Sequence, residues 1–238
     1  MPAEAVLSPM LDASLRDRAV YLPDPDALVL SDLHLGRAAD SAVAFPLRER
    51  ADIEERLCDL LSTFDPVTVV FAGDVLHRFD GSRRAVDALG TLVEACTAAG
   101  ARPVLVAGNH DVALPELWDG PVHDEYRLAD GTLVCHGHER PESDADRYLI
   151  GHDHPVLRVE GVRHPCYLYG PGTFRGGDVL MLPAFTTLAP GVVVNQYRTA
   201  DFDSPLVTDA DALRPVLRDE AGAETLSFPS LGSVRDLL

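Results

Sequence analysis

Five short stretches of this sequence pool residues that bind metal ions and move protons. They read Asp32-Leu33-His34, Gly73-Asp74-Val75-Leu76-His77, Gly108-Asn109-His110-Asp111, His136-Gly137-His138 and Gly151-His152-Asp153-His154. Seven of the nine histidines lie in them, and His123 stands beside Asp124. Carboxylate, amide and imidazole donors without a thiolate suit Mn²⁺, Fe or Zn²⁺ and exclude soft-metal sites. Asp32, His34, Asp74, Asn109, His136, His152 and His154 offer seven ligands, more than one ion takes, and one carboxylate can bridge two ions. Two ions about 3.5–4 Å apart form a clamp for in-line displacement at phosphorus. His110 is left over beside Asn109, where Asp111 can orient it as a general acid. Each stretch alone is a weak signal, because a single histidine is more often a core residue than a ligand. The set of five carries the reading.

These residues need elements that deliver them to one place. Ala27-Leu28-Val29-Leu30, Val67 to Ala72 and Pro103 to Ala107 are apolar runs that read as buried strands. The anchor stretch Gly108 to Asp111 then falls at the carboxyl end of a strand, where α/β sheets bind ligands. Asp32 and His34, at alternate positions, are expected on one side. Residues 38–45 read as a loop, and Pro46 opens a helix whose face is Ile53, Leu57, Leu60, Leu61 and Phe64. Ser82 caps a second helix with Val86, Leu89, Val93 and Cys96 on its apolar face, ended by Gly100. The pattern β-α-β-α-β up to residue 107 predicts parallel strands with right-handed crossovers. Beyond it, Val122–Leu128, Thr132–Cys135, Tyr148–Ile150, Val156–Val159, Pro165–Tyr169, Val179–Leu182 and Val192–Val194 read as short strands. Turns such as Asp130-Gly131 and Gly176-Gly177 suit antiparallel hairpins. From about 199 the chain turns acidic, and a short helix is expected at 209–218. The expected organisation is a catalytic domain over 1–198 and an acidic extension over 199–238, packed back through Leu226, Phe228 and Leu231.

Composition narrows the classes. An apolar share of 46% supports a packed core. No run approaches the roughly 20 apolar residues of a membrane helix, and Met-Pro-Ala-Glu-Ala lacks the marks of a secretory leader. Four cysteines without a CxxC pair exclude a zinc knuckle or a thioredoxin motif and read as buried thiols in a reducing cytoplasm. All 20 basic residues are arginine, against 38 acidic ones, for a net charge of −18. Such a surface repels itself at low salt, whereas at about 1 M salt the Debye length shrinks to about 3 Å. The composition therefore points to a halophile. It also lacks the basic patch of most nucleic-acid binders.

Taken together, the five stretches resemble the motifs of calcineurin-like metallophosphoesterases, over roughly residues 27–155. Within that superfamily the chain is most similar to small archaeal phosphoesterases related to the SbcD nuclease subunit. That narrower likeness rests on Ser31 to Gly36, His154-Pro155 and Leu182-Pro183-Ala184-Phe185. DNA-ligase-associated bacterial phosphoesterases are similar too. The resemblance implies a four-layer α/β/β/α sandwich with two mixed sheets. It implies a first ion on Asp32, His34, Asp74 and His154, and a second, bridged by Asp74, on Asn109, His136 and His152. A bridging hydroxide would attack phosphorus, while His110 stabilises the phosphoryl oxygens and protonates the leaving group. Mn²⁺ is the first expectation for the ions, with Fe or Zn²⁺ as alternatives.

Arg37, His77 and His138 are the candidates for substrate contact, with Arg78 as a further phosphate ligand. His138 alternatively takes the place of His136. Three function classes follow: a dinuclear phosphodiesterase-type hydrolase, a nuclease on single-stranded or flap DNA, and a non-catalytic scaffold of the same fold. A phosphate ester is the expected partner, nucleic acid stays open, and no membrane is involved. A homodimer through Val192–Val194 or the tail is also open.

Overall fold

The computed structural model describes residues 12–37, 46–77 and 82–235. The expected loop at 38–45 and Arg78 lie outside them. Six strands form the first sheet, in the order β1 (Ser14–Arg16), β2 (Ala19–Leu22), β3 (Ala27–Leu30), β4 (Thr68–Ala72), β5 (Arg102–Val106) and β6 (Val122–His123). β1, β2 and β3 pair antiparallel, and β3 through β6 run parallel. Parallel neighbours need a crossover, and α1 (Pro46–Phe64) and α2 (Arg83–Ala98) supply it on either side of β4.

The three parallel runs are apolar throughout because both their faces are covered. Leu28, Leu30, Val69, Phe71 and Leu105 share a core with Ile53, Leu57, Leu60, Leu89 and Leu92 of the helices. The alternate residues Val29, Val70, Ala72, Val104 and Val106 face a second sheet. Ser82 caps α2 as expected, its hydroxyl accepting from the Ala85 N–H at 3.2 Å. The buried face of α2 is rotated slightly from the expected one: Ala85, Ala88 and Leu92 are buried, and Val86 and Val93 only half so.

After the short helix α3 (Leu114–Leu117), the rest of the chain is mostly strand. It forms β7 (Glu125–Arg127), β8 (Leu133–Cys135), β9 (Arg147–Ile150), β10 (Pro155–Val159), β11 (Val162–Pro165), β12 (Tyr167–Phe174), β13 (Gly177–Met181), β14 (Val192–Val193), β15 (Arg214–Asp219) and β16 (Glu224–Ser227), then α4 (Leu231–Val234). Seven of these make a mixed sheet in the order β16-β15-β12-β13-β9-β8-β7. The remaining three make a small sheet, β11-β10-β14. Val134, Leu149, Tyr167, Tyr169, Leu180 and Val216 meet the first sheet in a shared core. The far face packs on Leu157, Val194, Phe202, Leu206, Ala210, Leu231 and Val234. Four layers result. The outer layer on this side is the small sheet, single-turn helices and α4, so the second helical layer is sparse.

Five expectations are corrected. The run Val122–Leu128 is two strands, split at Asp124 and given to different sheets. The hairpins at Asp130-Gly131 and Gly176-Gly177 form, but β8, β9 and β13 run parallel to one another. The expected helix at 209–218 is a single turn, Ala210–Ala212, followed by β15, which pairs with β12 inside the large sheet. Phe228 and Leu231 pack on the core as expected, whereas Leu226 is 48% exposed. Of the four cysteines Cys58 is exposed and the others are buried. Among the described residues no helix is long and apolar enough to cross a membrane.

Candidate metal centre

Every candidate ligand stands just past the carboxyl end of a parallel strand or in the turn that follows it. Asp32 and His34 follow β3, Asp74 follows β4 and Asn109 follows β5. His136 follows β8, and His152 and His154 follow β9. The two sheets bring these ends together. Asp32 and His34 share a side, but strand alternation is not the reason: β3 ends at Leu30, and both residues are left-handed, with φ of 59° and 47°. Asp74, His152 and His154 are left-handed too, at 49°, 78° and 47°.

A non-glycine residue in that region costs about 1–3 kcal/mol and survives where its surroundings over-determine it. Neighbouring loops do so here. Asp32 N–H donates to the Gly73 carbonyl at 3.0 Å, His34 N–H to Asp74 O at 2.9 Å and Leu35 N–H to Val75 O at 2.8 Å. The loops lie so close that a Cβ at Gly108 would overlap the Asp74 carboxylate, and one at Gly151 would overlap Ser31 and Asp32.

Two groups of donors result. In the first, His154 Nε2 lies 3.0 Å from Asp32 Oδ1 and 3.2 Å from His34 Nε2, and His34 Nε2 lies 3.8 Å from Asp74 Oδ2. In the second, His136 Nε2 is 3.4 Å from Asp74 Oδ1, 3.2 Å from Asn109 Oδ1 and 3.3 Å from His152 Nδ1. The two oxygens of Asp74 thus face different groups. His136 Nδ1 meets the Ala72 carbonyl at 3.2 Å, an acceptor for a proton on that nitrogen, and Nε2 faces inward.

Asp32, Asp74, His34 and His136 are all 2% exposed or less. Two imidazole lone pairs at 3.2 Å repel unless a proton or a cation lies between them, so the donor set fits metal ions. Among the described residues Asp32 with His34 and His154, Asp32 with Asp74 and His136, and His34 with His77 and His110 could each hold an ion.

In the electrostatics of the centre, buried carboxylates and imidazoles set one another's charge, and Asp32 raises His154 against its burial. Burial would raise the Asp32 carboxyl, but His154, His136 and His34 hold it well below the usual carboxylate range. Burial likewise opposes ionisation of Asp74, and His136 more than offsets it. Burial disfavours charge on His136 too, yet Asp74 and Asp32 carry it up to about 9. His34 and His152 are pushed down, to about 3 and about 4, chiefly by burial, which leaves neutral rings with lone pairs to offer.

His110 stands over the centre, its Nε2 3.9 Å from Asp74 Oδ2. Its Nδ1 lies 2.7 Å from the His77 carbonyl, an acceptor for the ring proton. That carbonyl, not Asp111, orients the ring. Both Asp111 oxygens are taken by backbone: Oδ2 accepts from Val75 and Gly108 N–H at 3.1 and 2.9 Å, and Oδ1 from Leu76 at 2.8 Å. Asp111 is therefore a brace between two ligand loops. The His77 ring stacks on His110 at 5.9 Å and stands edge-on to His34 at 5.6 Å.

His138 sits on the opposite rim, 5.3 Å from the His136 ring and 6.1 Å from His152. It is His136, not His138, that joins the carboxylates. A cleft of about 760 Å³ opens beside them, passing Gly108, His136 and His138 to Glu139, Arg140 and Glu142. Arg37 is half-buried, and its N–H turns back to the His34 carbonyl at 3.1 Å.

Two supports were not read from the sequence. The Ser31 hydroxyl lies 2.7 Å from Asp32 Oδ2 and 2.8 Å from the Ala72 carbonyl, tying the first loop to β4. A strap at 184–186 runs under it, with Phe185 N–H on Ser31 O and Thr186 N–H on Asp32 O. Arg18 and Arg56 hold the strap through the carbonyls of Ala184, Thr186 and Phe185. A small polar residue after an apolar strand was the available signal for Ser31.

Two facing mixed sheets with Asp, Asn and His at the carboxyl ends of their parallel strands define a metallophosphoesterase fold. The family of calcineurin-like phosphoesterases matches residues 26–179, and the chain belongs to that family. Among solved structures it is similar to a nuclease of Pseudomonas putida, nuclease MPE, at 26% identity and a TM-score of 0.59. That similarity covers 84% of this chain and 88% of that one. No curated protein matches the chain.

Proposed function

We propose that the protein is a dinuclear metal-dependent phosphoesterase of phosphodiesterase type. The observation that carries the reading is Asp74, whose two carboxylate oxygens face the two donor groups at 3.8 and 3.4 Å. Asp32, His34, Asp74 and His154 would hold one divalent ion, and Asp74, Asn109, His136 and His152 the other. When bound, such ions supply charge for the phosphoryl oxygens and lower the pKa of a water.

The chain's own residues do the rest. His110, with Nδ1 on the His77 carbonyl, keeps Nε2 aimed at the centre, where it donates a proton to the leaving oxygen. Asp111 keeps the loops of Asp74 and Asn109 in register. His77 and His138 flank opposite rims and, with Arg37, contact the ester. Mn²⁺ is the ion we expect, with Fe or Zn²⁺ as alternatives, in a protein adapted to molar salt.

A second reading, a nuclease on single-stranded or flap DNA, is favoured by the likeness to a nuclease. The cleft speaks for a small diester instead. Asp124, Glu125, Glu139 and Glu142 line it against Arg140, and a polyanionic strand is normally met by basic groups. Metal-stripped protein reloaded with Mn²⁺ in molar salt, then offered small monoesters, small diesters and single-stranded or flap oligonucleotides, separates the readings. Diester turnover is expected. Cleavage of oligonucleotides alone would transfer the assignment to a nuclease. No turnover with metal bound would leave a scaffold.

A further inference from the structure

The chain beyond residue 198 contributes none of the candidate ligands, yet it touches two of the ligand loops. Asp153 lies between His152 and His154 and turns away from the centre. Its Oδ1 accepts from the Asp203 N–H at 2.8 Å and its Oδ2 from the Ser204 N–H at 3.1 Å. The Ser204 hydroxyl donates to the Gly137 carbonyl at 2.6 Å, directly after His136. Asp153 is 6% exposed and Ser204 2%. One serine therefore ties the loop of His136 to the loop of His152 and His154.

The backbone explains why such a tie is needed. His152 and His154, on either side of Asp153, are both left-handed. Such a conformation persists only where the surroundings hold it. Between these loops the backbone gives Gly151 N–H to His136 O at 2.9 Å, and the segment around Ser204 supplies the clamp from outside. Phe202, Leu206 and Val207, buried in the core beside it, fix that segment in place.

We propose that Ser204 and Asp153 are positioning residues for the metal centre, and that the C-terminal segment is thereby part of the metal-binding apparatus. The inference rests on the metal-binding reading of the site. Groups that orient ligands from behind typically control about 10–100-fold in metal affinity.

The test is calorimetric titration of Mn²⁺ into metal-stripped, full-length wild type, Ser204→Ala and Asp153→Asn, with melting of each protein bare and loaded. Visible absorption of the Co²⁺-loaded proteins reports ligand geometry. We expect Ser204→Ala and Asp153→Asn to bind Mn²⁺ about tenfold more weakly or worse and to shift the Co²⁺ bands. Their bare melting temperatures should fall much less than their loaded ones. Wild-type affinity and bands in both variants would overturn the proposal. So would an equal fall in bare and loaded melting, which marks ordinary packing. If Ser204→Ala does not fold, Asp153→Asn decides by the same readings. If wild type itself takes up no Mn²⁺ or Co²⁺, the metal reading falls and this inference with it.

Discussion

Asp32, Asp74 and Asn109 follow β3, β4 and β5, three adjacent parallel strands of the six-stranded sheet. His136 and His152 follow β8 and β9, also adjacent and parallel, in the seven-stranded sheet. In the first region the ligand loops brace one another, through main-chain bonds and through Asp111, whose three N–H partners belong to the loops themselves. In the second region the corresponding carboxylate, Asp153, reaches out to Asp203 and Ser204, about 50 residues away. Burial pushes both carboxyls up, each to about 6, with backbone N–H groups opposing it. Both regions take support from distant chain, the first from the strap at 184–186 and the second from Asp203 and Ser204, but only in the first does a buried carboxylate bind the neighbouring loops to each other.

Substitutions in the two regions separate metal holding, proton transfer and bracing. The largest effect is expected at the residue the two regions share. Asp74→Asn should lower turnover roughly a thousandfold, about 4 kcal/mol of barrier, with metal content by elemental analysis falling in the same protein. His110→Ala should cost roughly 10²–10³-fold in kcat and leave metal content at the wild-type level, which separates proton transfer from metal holding.

Asp111→Ala leaves three buried N–H groups without their acceptor and should lower stability by about 3 kcal/mol in denaturant unfolding. A loss well under 1 kcal/mol would mean that the main-chain bonds brace this region unaided. Smallest is Tyr167→Phe, which removes the hydrogen bond from β12 to the Ala19 carbonyl across the two sheets at 2.8 Å. It should cost about 1 kcal/mol and leave Mn²⁺ affinity unchanged.

The same contrast explains what the sequence made legible. The apolar runs ending in Asp-Leu-His, Gly-Asp and Gly-Asn-His point to the parallel series and its candidate ligands, because strand, helix and candidate ligand there are local. The left-handed backbone at Asp32 and His34 was not legible, since it depends on bonds to Gly73 and Asp74. Nor was the parallel course of β8, β9 and β13, which is a long-range pairing. An antiparallel β8–β9 hairpin would have put His136 and His152 at opposite ends of the sheet.

The strand β15 imitated a helix, because Ala210, Leu213, Val216 and Leu217 fall at helical spacing. Pro215 is the opposing cue, as it would interrupt a helix there. Adjacency in sequence suggests Asp111 as the group that orients His110. The structure gives that role to the His77 carbonyl, 33 positions earlier.

We propose metal-dependent ester hydrolysis at a centre spanned by Asp74. Its most direct test is hydrolysis of bis(p-nitrophenyl) phosphate in molar salt, by wild type and Asp74→Asn, each metal-stripped and then supplied with Mn²⁺. The account predicts turnover by wild type only after Mn²⁺ is added, and essentially none by Asp74→Asn. Equal turnover by the two proteins, or by wild type before and after the metal is restored, would contradict it.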